Sequence, residues 1–269
     1  MNIELVKITP KLAIDYLQHN IVNRTLSASK VDQYVDDILN DNWLSNSGEG
    51  VSFDWNGNLI NGQHRLNAII KANKAVSMYV FTNCDPQSFK YIDTAKSRSA
   101  GDVLSIDGVK NSKHTAAIIT SYYYLKNNYN AIDGGHRAEL KLTNFKILDL
   151  YQKNEEFYNS TICYIMAACT KFNRITTTSL LGGVYCMFYE KDPKTAKMFV
   201  DELVGYIPKT HNSTILLAEL LLKNKISAKK LPSSYLVAYF FKAWNAYRTK
   251  KDIKLLKHNP ETDVFPVIL

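Results

Sequence analysis

Val51-Ser52-Phe53-Asp54-Trp55-Asn56-Gly57-Asn58-Leu59-Ile60-Asn61-Gly62-Gln63-His64-Arg65-Leu66 is the stretch on which the fold turns. Apolar and polar residues alternate on both sides of Asn56-Gly57, and Asn-Gly between two such runs is the strongest short hairpin signal. The second strand stops at Gly62. Leu66, Ala68, Ile69 and Ile70 then follow at helical spacing. A strand, a glycine and a helix start in that order aim backbone N–H groups and the positive end of the helix dipole at one point. Arg65 adds a planar fork of donors suited to phosphate oxygens. His64 adds a donor or a proton-transfer group. Gly62, Gln63, His64 and Arg65 are therefore candidate phosphate-binding residues.

Upstream, Pro10 fits the first turn of a helix capped by Thr9. Asn23 to Leu26 reads as an extended connector, in which Arg24 is either a second phosphate clamp or an exposed residue. Ser27 or Ser29 caps the next helix, whose Val31, Tyr34, Val35, Ile38 and Leu39 share one face before Trp43. Downstream, Val76–Phe81 predicts a strand, Asp85-Pro86 a short helix with Phe89 inward, and Gly101–Ile106 a further helical segment closed by Gly108. Asp93, Thr94, Arg98 and Ser99 crowd into a polar stretch, in which Thr94, Arg98 and Ser99 are further candidate phosphate-binding residues. Asp93 there either holds Mg²⁺ beside phosphates or caps the helix that follows.

From Lys113 the character changes. Ala116–Leu125, Asn144–Gln152, Phe157–Cys169, Thr178–Tyr189, Thr195–Val204, Ser213–Lys223 and Ser233–Tyr247 all read as helices, punctuated by Asp192-Pro193, Ile207-Pro208 and Leu231-Pro232. Gly134-Gly135-His136-Arg137 repeats part of the earlier turn with no strand before it, and reads as a loop. The expected architecture is α+β, with a small α/β domain over residues 1–110 and an all-helical domain over residues 111–269.

The 269 residues are 46% apolar and 22% charged, with 11 Gly and 7 Pro, which excludes a disordered or collagen-like chain. Net charge is +8 and unevenly placed. Residues 1–110 hold 11 Lys/Arg against 12 Asp/Glu, and residues 111–269 hold 22 against 13. A basic half beside a neutral one points to a polyanion partner, or to a lysine-rich surface with no partner. Lys229, Lys230, Lys250 and Lys251 are the candidate nucleic-acid contacts, framing Tyr235, Tyr239, Phe240, Trp244 and Tyr247, most of which read as core. Tyr alone counts 17, a residue suited to half-buried surfaces and interfaces.

The 4 Cys form no CxxC pair, so neither a structural zinc site nor an oxidising compartment is expected, and Cys163 and Cys186 read as core residues. His114, His136, His211 and His258 read as surface or loop residues. Glu4 and Lys7 interrupt any secretory leader, and the uncharged runs Phe157–Thr170 and Ile175–Tyr189 are too short and polar to span a bilayer. A soluble, cytoplasmic protein without a membrane partner is expected.

The chain resembles the ParB/sulfiredoxin superfamily, and within it phage and plasmid ParB-like proteins. The likeness rests on Asn23, Arg24, Leu26 and Ser27, on Phe53-Asp54-x-x-Gly57-x-Leu59-Ile60, on Gly62-Gln63-His64-Arg65-Leu66 and on the run from Asp93 to Leu104. It is specific over residues 23–104 and looser across the helices, where Ala243-Trp244-Asn245-Ala246 and Phe265-Pro266 are also similar. The resemblance implies a small α/β fold that holds a nucleoside triphosphate with Mg²⁺, the phosphates on the Gly62–Arg65 turn. Members of the superfamily hydrolyse CTP as DNA clamps, reduce sulfinic acids or phosphorylate serine, so the fold leaves the reaction open. Three positions depart from the pattern. Asn61 stands where relatives carry Asp, Gln63 where the reductase has its reactive Cys, and His64 where the clamp has the first arginine of its pair.

Together these features predict a nucleotide-dependent DNA-binding protein of phage or mobile-element type, acting in the host cytoplasm. One alternative is an NTPase, phosphotransferase or nuclease, in which His64 and Asp93 are catalytic and Asp93 holds the metal. Another is a phage inhibitor that captures a host protein or signalling nucleotide.

Overall fold

The computed structural model describes the chain except Val22, Arg24, Asn46, residues 88–97, residues 134–139, Lys141 and Pro260, with Asn130 described in its backbone alone. Arg24, Asp93 and Thr94, the short helix around Phe89, His136 and the Gly134-Gly135 loop lie outside the described residues. The chain divides into two compact units, Met1–Ser97 and Arg98–Leu269. The architecture is mixed α+β and mostly helical, with one small sheet and eleven α-helices among the described residues.

In the first unit the sheet has the order β1-β4-β2-β3, with β1 Asn2–Ile8, β2 Gly50–Asp54, β3 Leu59–Asn61 and β4 Val76–Cys84. β4 runs antiparallel to β1 and parallel to β2, and β2 and β3 form an antiparallel hairpin. Asp54 ties the hairpin turn, accepting from the backbone N–H groups of Asn56 (2.9 Å) and Asn58 (2.8 Å) and from Asn58 Nδ2 (3.1 Å). Burial pushes its carboxyl up, but the donors of Asn58 and Asn56 outweigh burial and leave it below the ordinary value. β1 is absent from the sequence reading, which starts the first element at Pro10. Only Val6 and Ile8 of that strand pack inward, opposite Met78 and Val76, while Ile3 and Leu5 on the edge are each 55% exposed.

Helices α1 Pro10–Leu17, α2 Ala28–Leu39 and α3 Gln63–Ala72 complete this unit. Thr9 caps α1 and Ser27 caps α2, each accepting from the backbone N–H three residues on. Ala13, Val35, Ile38, Leu66 and Ile69 pack with Ile8, Val51, Leu59 and Met78 in one apolar core. Asn73, in the left-handed region at φ 50°, ends α3.

The second unit comprises α4 Ala100–Ile106, α5 Ser112–Asn127, a 3₁₀ turn Tyr129–Asp133, α6 Asn144–Lys153, α7 Glu155–Lys171, α8 Thr178–Lys191, α9 Pro193–Val204, α10 Asn212–Ile226 and α11 Ser233–Arg248. Thr143, Thr177 and Asp192 cap α6, α8 and α9 through their side-chain oxygens. Phe188, Phe199, Phe240 and Trp244 are fully buried at the centre, with Phe188 stacked on Trp244 at 4.4 Å. The closing residues lie along α11, where Asn245 donates to Val267 O (2.7 Å) and accepts from Leu269 N (3.0 Å). A smaller core joins Leu104 and Val109 to Ala116, Ile119, Ile147, Tyr151 and Tyr158. Residues 98–110, grouped with the first domain by sequence pattern, thus share a core with the helices.

Two side-chain expectations are corrected. Cys163 is exposed, because it sits on the outward side of α7, while Cys186 is buried as expected. His258 is buried, its ring edge-on to Tyr235 and Phe265.

Candidate functional site

The hairpin delivers the chain to Gly62 at φ 109°, and α3 begins one residue later. A Cβ on Gly62 would stand 3.1 Å from the Val51 Cα. The glycine therefore serves a close approach to the unit's own central strand.

Gln63, His64 and Arg65 are all buried, at 6%, 7% and 6% exposure. Arg65 forms an ion pair with Glu49, donates from Nη2 to Gly50 O (2.7 Å) and reaches Asn61 Oδ1 at 3.3 Å. Its Nε is buried and has no hydrogen-bond partner. His64 Nε2 accepts the backbone N–H of Ser27 at 3.0 Å. An imidazole nitrogen that accepts carries no proton, so in this geometry the ring proton belongs to Nδ1. The ring thereby satisfies the cap residue of α2, one of the positions a helix cannot satisfy by itself.

Gln63 Oε1 accepts from Asn20 Nδ2 (3.3 Å), and Asn23 bridges Asn20 Oδ1 to Leu59 O. The connector predicted between the first two helices is thus fastened to the start of α3 by amides. Sequence reading singled out Asn23 through the resemblance but not Asn20 or Glu49. A carboxylate sixteen residues from its arginine leaves no spacing signal.

The predicted site residues separate between the two units. Gly62, Gln63, His64 and Arg65 belong to residues 1–97, and Arg98 and Ser99 to residues 98–269. Ser99 caps α4 in a reciprocal box with Asp102, accepting from Asp102 N and donating its own N–H to Asp102 Oδ2 at 2.8 Å. The Arg98 carbonyl accepts from Asn144. Among the described residues no group of three His, Cys, Asp or Glu is placed to hold a metal. The described residues at the turn fit a triphosphate poorly. The one cation there is paired, and the imidazole faces a backbone donor.

Lys229 and Lys230 follow α10, and Lys250 and Lys251 follow α11; all four are exposed, and none forms an ion pair among the described residues. Lys230 Nζ donates to Asn224 O (2.9 Å) and to Lys225 O, while Lys225 Nζ donates to Arg174 O. These contacts hold the Lys225 and Lys230 ammonium groups on backbone carbonyls at two helix C-termini, where the dipoles favour cations. Lys250 stands in the left-handed region at φ 55°, and Lys251 N bonds back to Ala246 O. Tyr235, Tyr239 and Tyr247 are half-buried beside the fully buried Phe240 and Trp244.

Compared with models of protein families, with curated proteins and with solved structures, the chain gives no match. No helix among the described residues is long and apolar enough to cross a membrane.

Proposed function

We propose that the protein binds nucleic acid through the lysine-rich helix ends of residues 98–269. One observation carries this reading: the charge is segregated between the two compact units. Residues 1–97 hold 9 Lys/Arg against 10 Asp/Glu, and residues 98–269 hold 24 against 15. Lys229, Lys230, Lys250 and Lys251 are exposed and form no ion pair among the described residues, which supports it. The nucleotide-dependent, phage-type ParB-like form of the reading rests on the resemblance over residues 23–104.

Lysine contacts to phosphates release condensed counterions, so binding would fall steeply with salt and depend little on sequence. With roughly five contacts the log–log salt slope on duplex DNA would be about −4 to −5. Replacing Lys229, Lys230, Lys250 and Lys251 together by Gln flattens that slope. An anisotropy titration at several salt concentrations measures it, and no affinity for DNA or RNA at low salt removes the proposal.

For a nucleotide to engage Arg65, the guanidinium would have to leave Glu49, whose side chain is 66% exposed. Glu49→Gln and Arg65→Ala therefore separate two roles. If Arg65 holds phosphate, Glu49→Gln keeps or strengthens nucleotide binding and Arg65→Ala weakens it about 10-fold or more. If Arg65 is a strut between α3 and β2, both variants lose stability and neither changes affinity for a nucleotide with Mg²⁺.

A further inference from the structure

Within the helical unit, α5, α6, α7 and α8 surround an open cleft of about 840 Å³. That volume lies in the range of small-molecule sites, which are mostly apolar with a few convergent polar groups. Five of its walls are aromatic: Tyr122, Tyr123, Phe157, Tyr158 and Tyr189. Phe157 and Tyr189 pack against each other, their ring centres 5.0 Å apart at 48°, so a ligand ring can stack only on an outer face of the pair. Tyr189 is 36% exposed, so its ring is reachable from outside.

The polar groups of the cleft are Lys126, Glu190, Glu156, Asn127 and Asn154, among others. Lys126 Nζ donates to Glu190 Oε1 at 2.6 Å, and the Tyr122 hydroxyl donates to the same oxygen. Burial first, then the Glu190 carboxylate, pushes the Tyr122 hydroxyl well above its ordinary value. Burial does the same at Tyr158. The Tyr122 O–H is thus spent on Glu190, while the Tyr158 hydroxyl keeps its proton as a donor. Asn127 donates to Tyr123 O through Nδ2, which leaves its Oδ1 as an acceptor.

The local charge runs against that of the unit around it. Lys126 pairs with Glu190, Glu156 also lines the cleft, and Lys146 Nζ stands 5.2 Å over the Tyr123 ring, so carboxylates match cations here, inside a unit with 24 Lys/Arg against 15 Asp/Glu. Such a lining offers a phosphate no excess of positive charge, unlike the unit as a whole. Flat rings to stack on, donors and acceptors at the rim, and no net positive charge select one ligand chemistry. We propose that this cleft binds an uncharged planar nitrogen heterocycle of nucleoside size, stacked on the exposed ring of Tyr189, which Phe157 backs. Its lining residues include none of the turn at Gly62–Arg65 and none of the lysines after α10 and α11.

Adenosine, cytidine and adenosine monophosphate, titrated into the full chain by ligand-observed NMR, test the proposal. Adenosine or cytidine should bind, and the monophosphate should bind more weakly than adenosine. Stacking on an aromatic side chain is worth enough that Tyr189→Ala should weaken nucleoside binding by about 5- to 150-fold. Phe157→Ala should do the same, and Tyr189→Ala, on the more exposed ring, keeps the test valid if the Phe157 variant loses stability. Arg65→Ala, in the other unit, should leave this binding unchanged, which separates it from any nucleotide held at the α3 turn. The proposal is overturned if neither nucleoside binds at millimolar concentration. It is equally overturned if Tyr189→Ala binds as wild type, or if the monophosphate binds as tightly as adenosine.

Discussion

Gly62 combines a φ that favours glycine with a position where an added Cβ would meet Val51, so a side chain there meets strain and a tight contact together. Gly62→Ala should cost about 1–3 kcal/mol in urea unfolding, whereas Gly48→Ala, with nothing within 4 Å of the added Cβ, should be nearly neutral. That the residue must be glycine was legible from the strand-to-helix change at this point. The reason was not, because the neighbour that demands it lies on the other hairpin strand. Asp37 on α2 offers a test of a different kind. Burial first, then Asp36, pushes its carboxyl up to about 6 against the pull of Lys30, and its Oδ1 is buried without a partner. A carboxyl raised on folding is most favourable below its unfolded value of 3.8 and loses that contribution as pH rises through 6. Asp37→Asn should therefore stabilise the protein at pH 7–8, by about 1 kcal/mol given its half-exposed position. The variant and wild type should converge near pH 4, read from thermal midpoints across that range.

At the scale of elements, the helices were legible and the edge strand was not. Thr143, Thr177 and Asp192-Pro193 mark helix starts, and apolar periodicity fills the segments after them. β1 buries little, so half of its alternation points to solvent and carries no pattern distinct from a loop. The tightest helix contact depends on two glycines in α8. A Cβ on Gly182 would stand 2.5 Å from Ile118, and one on Gly183 2.3 Å from the Ser121 Oγ and 2.8 Å from its Cβ. Gly183→Ala gains helix propensity but forces α5 and α8 apart, and should destabilise by about 1–3 kcal/mol in denaturant titration. A more stable variant would show that the helices separate without penalty. Glu202 holds a second junction. It is 1% exposed and accepts from Thr210 N, His211 N and the Thr214 hydroxyl, fixing the chain between α9 and α10. Burial raises its carboxyl, but these donors outweigh it and leave it below the ordinary 4.5. Its contribution is complete above 4.5 and is lost as pH falls below it, so Glu202→Gln should be less stable at pH 7 with a shallower loss on acidification. Sequence alone places Glu202 beside Phe199, Val200 and Leu203, and a carboxylate on an apolar helix face was the available sign of a buried, bonded charge.

For the whole molecule, the charge balance and the periodicity both change after the sheet, and the chain divides into two compact units. The exact place of division depends on packing that periodicity does not encode. Leu104 is fully buried and Val109 nearly so, and both lie against Ala116, Ile119, Ile147 and Tyr151. A composition shift near residue 110 detects where long helices begin. It does not detect that the short helix before them closes their core. Two fragments distinguish the boundaries. Residues 98–269 keep α4 and its capping box, and should unfold in a single cooperative transition. Residues 111–269 lack Leu104 and Val109, and removing two buried aliphatic side chains should cost about 3–6 kcal/mol together. For a domain of ordinary stability, that is a large part of the total. The shorter fragment should therefore show a lower unfolding midpoint, and faster amide exchange along α5 and α6, where the apolar face is left uncovered. Equal midpoints for the two fragments would place the boundary at residue 110 and reduce α4 to a linker.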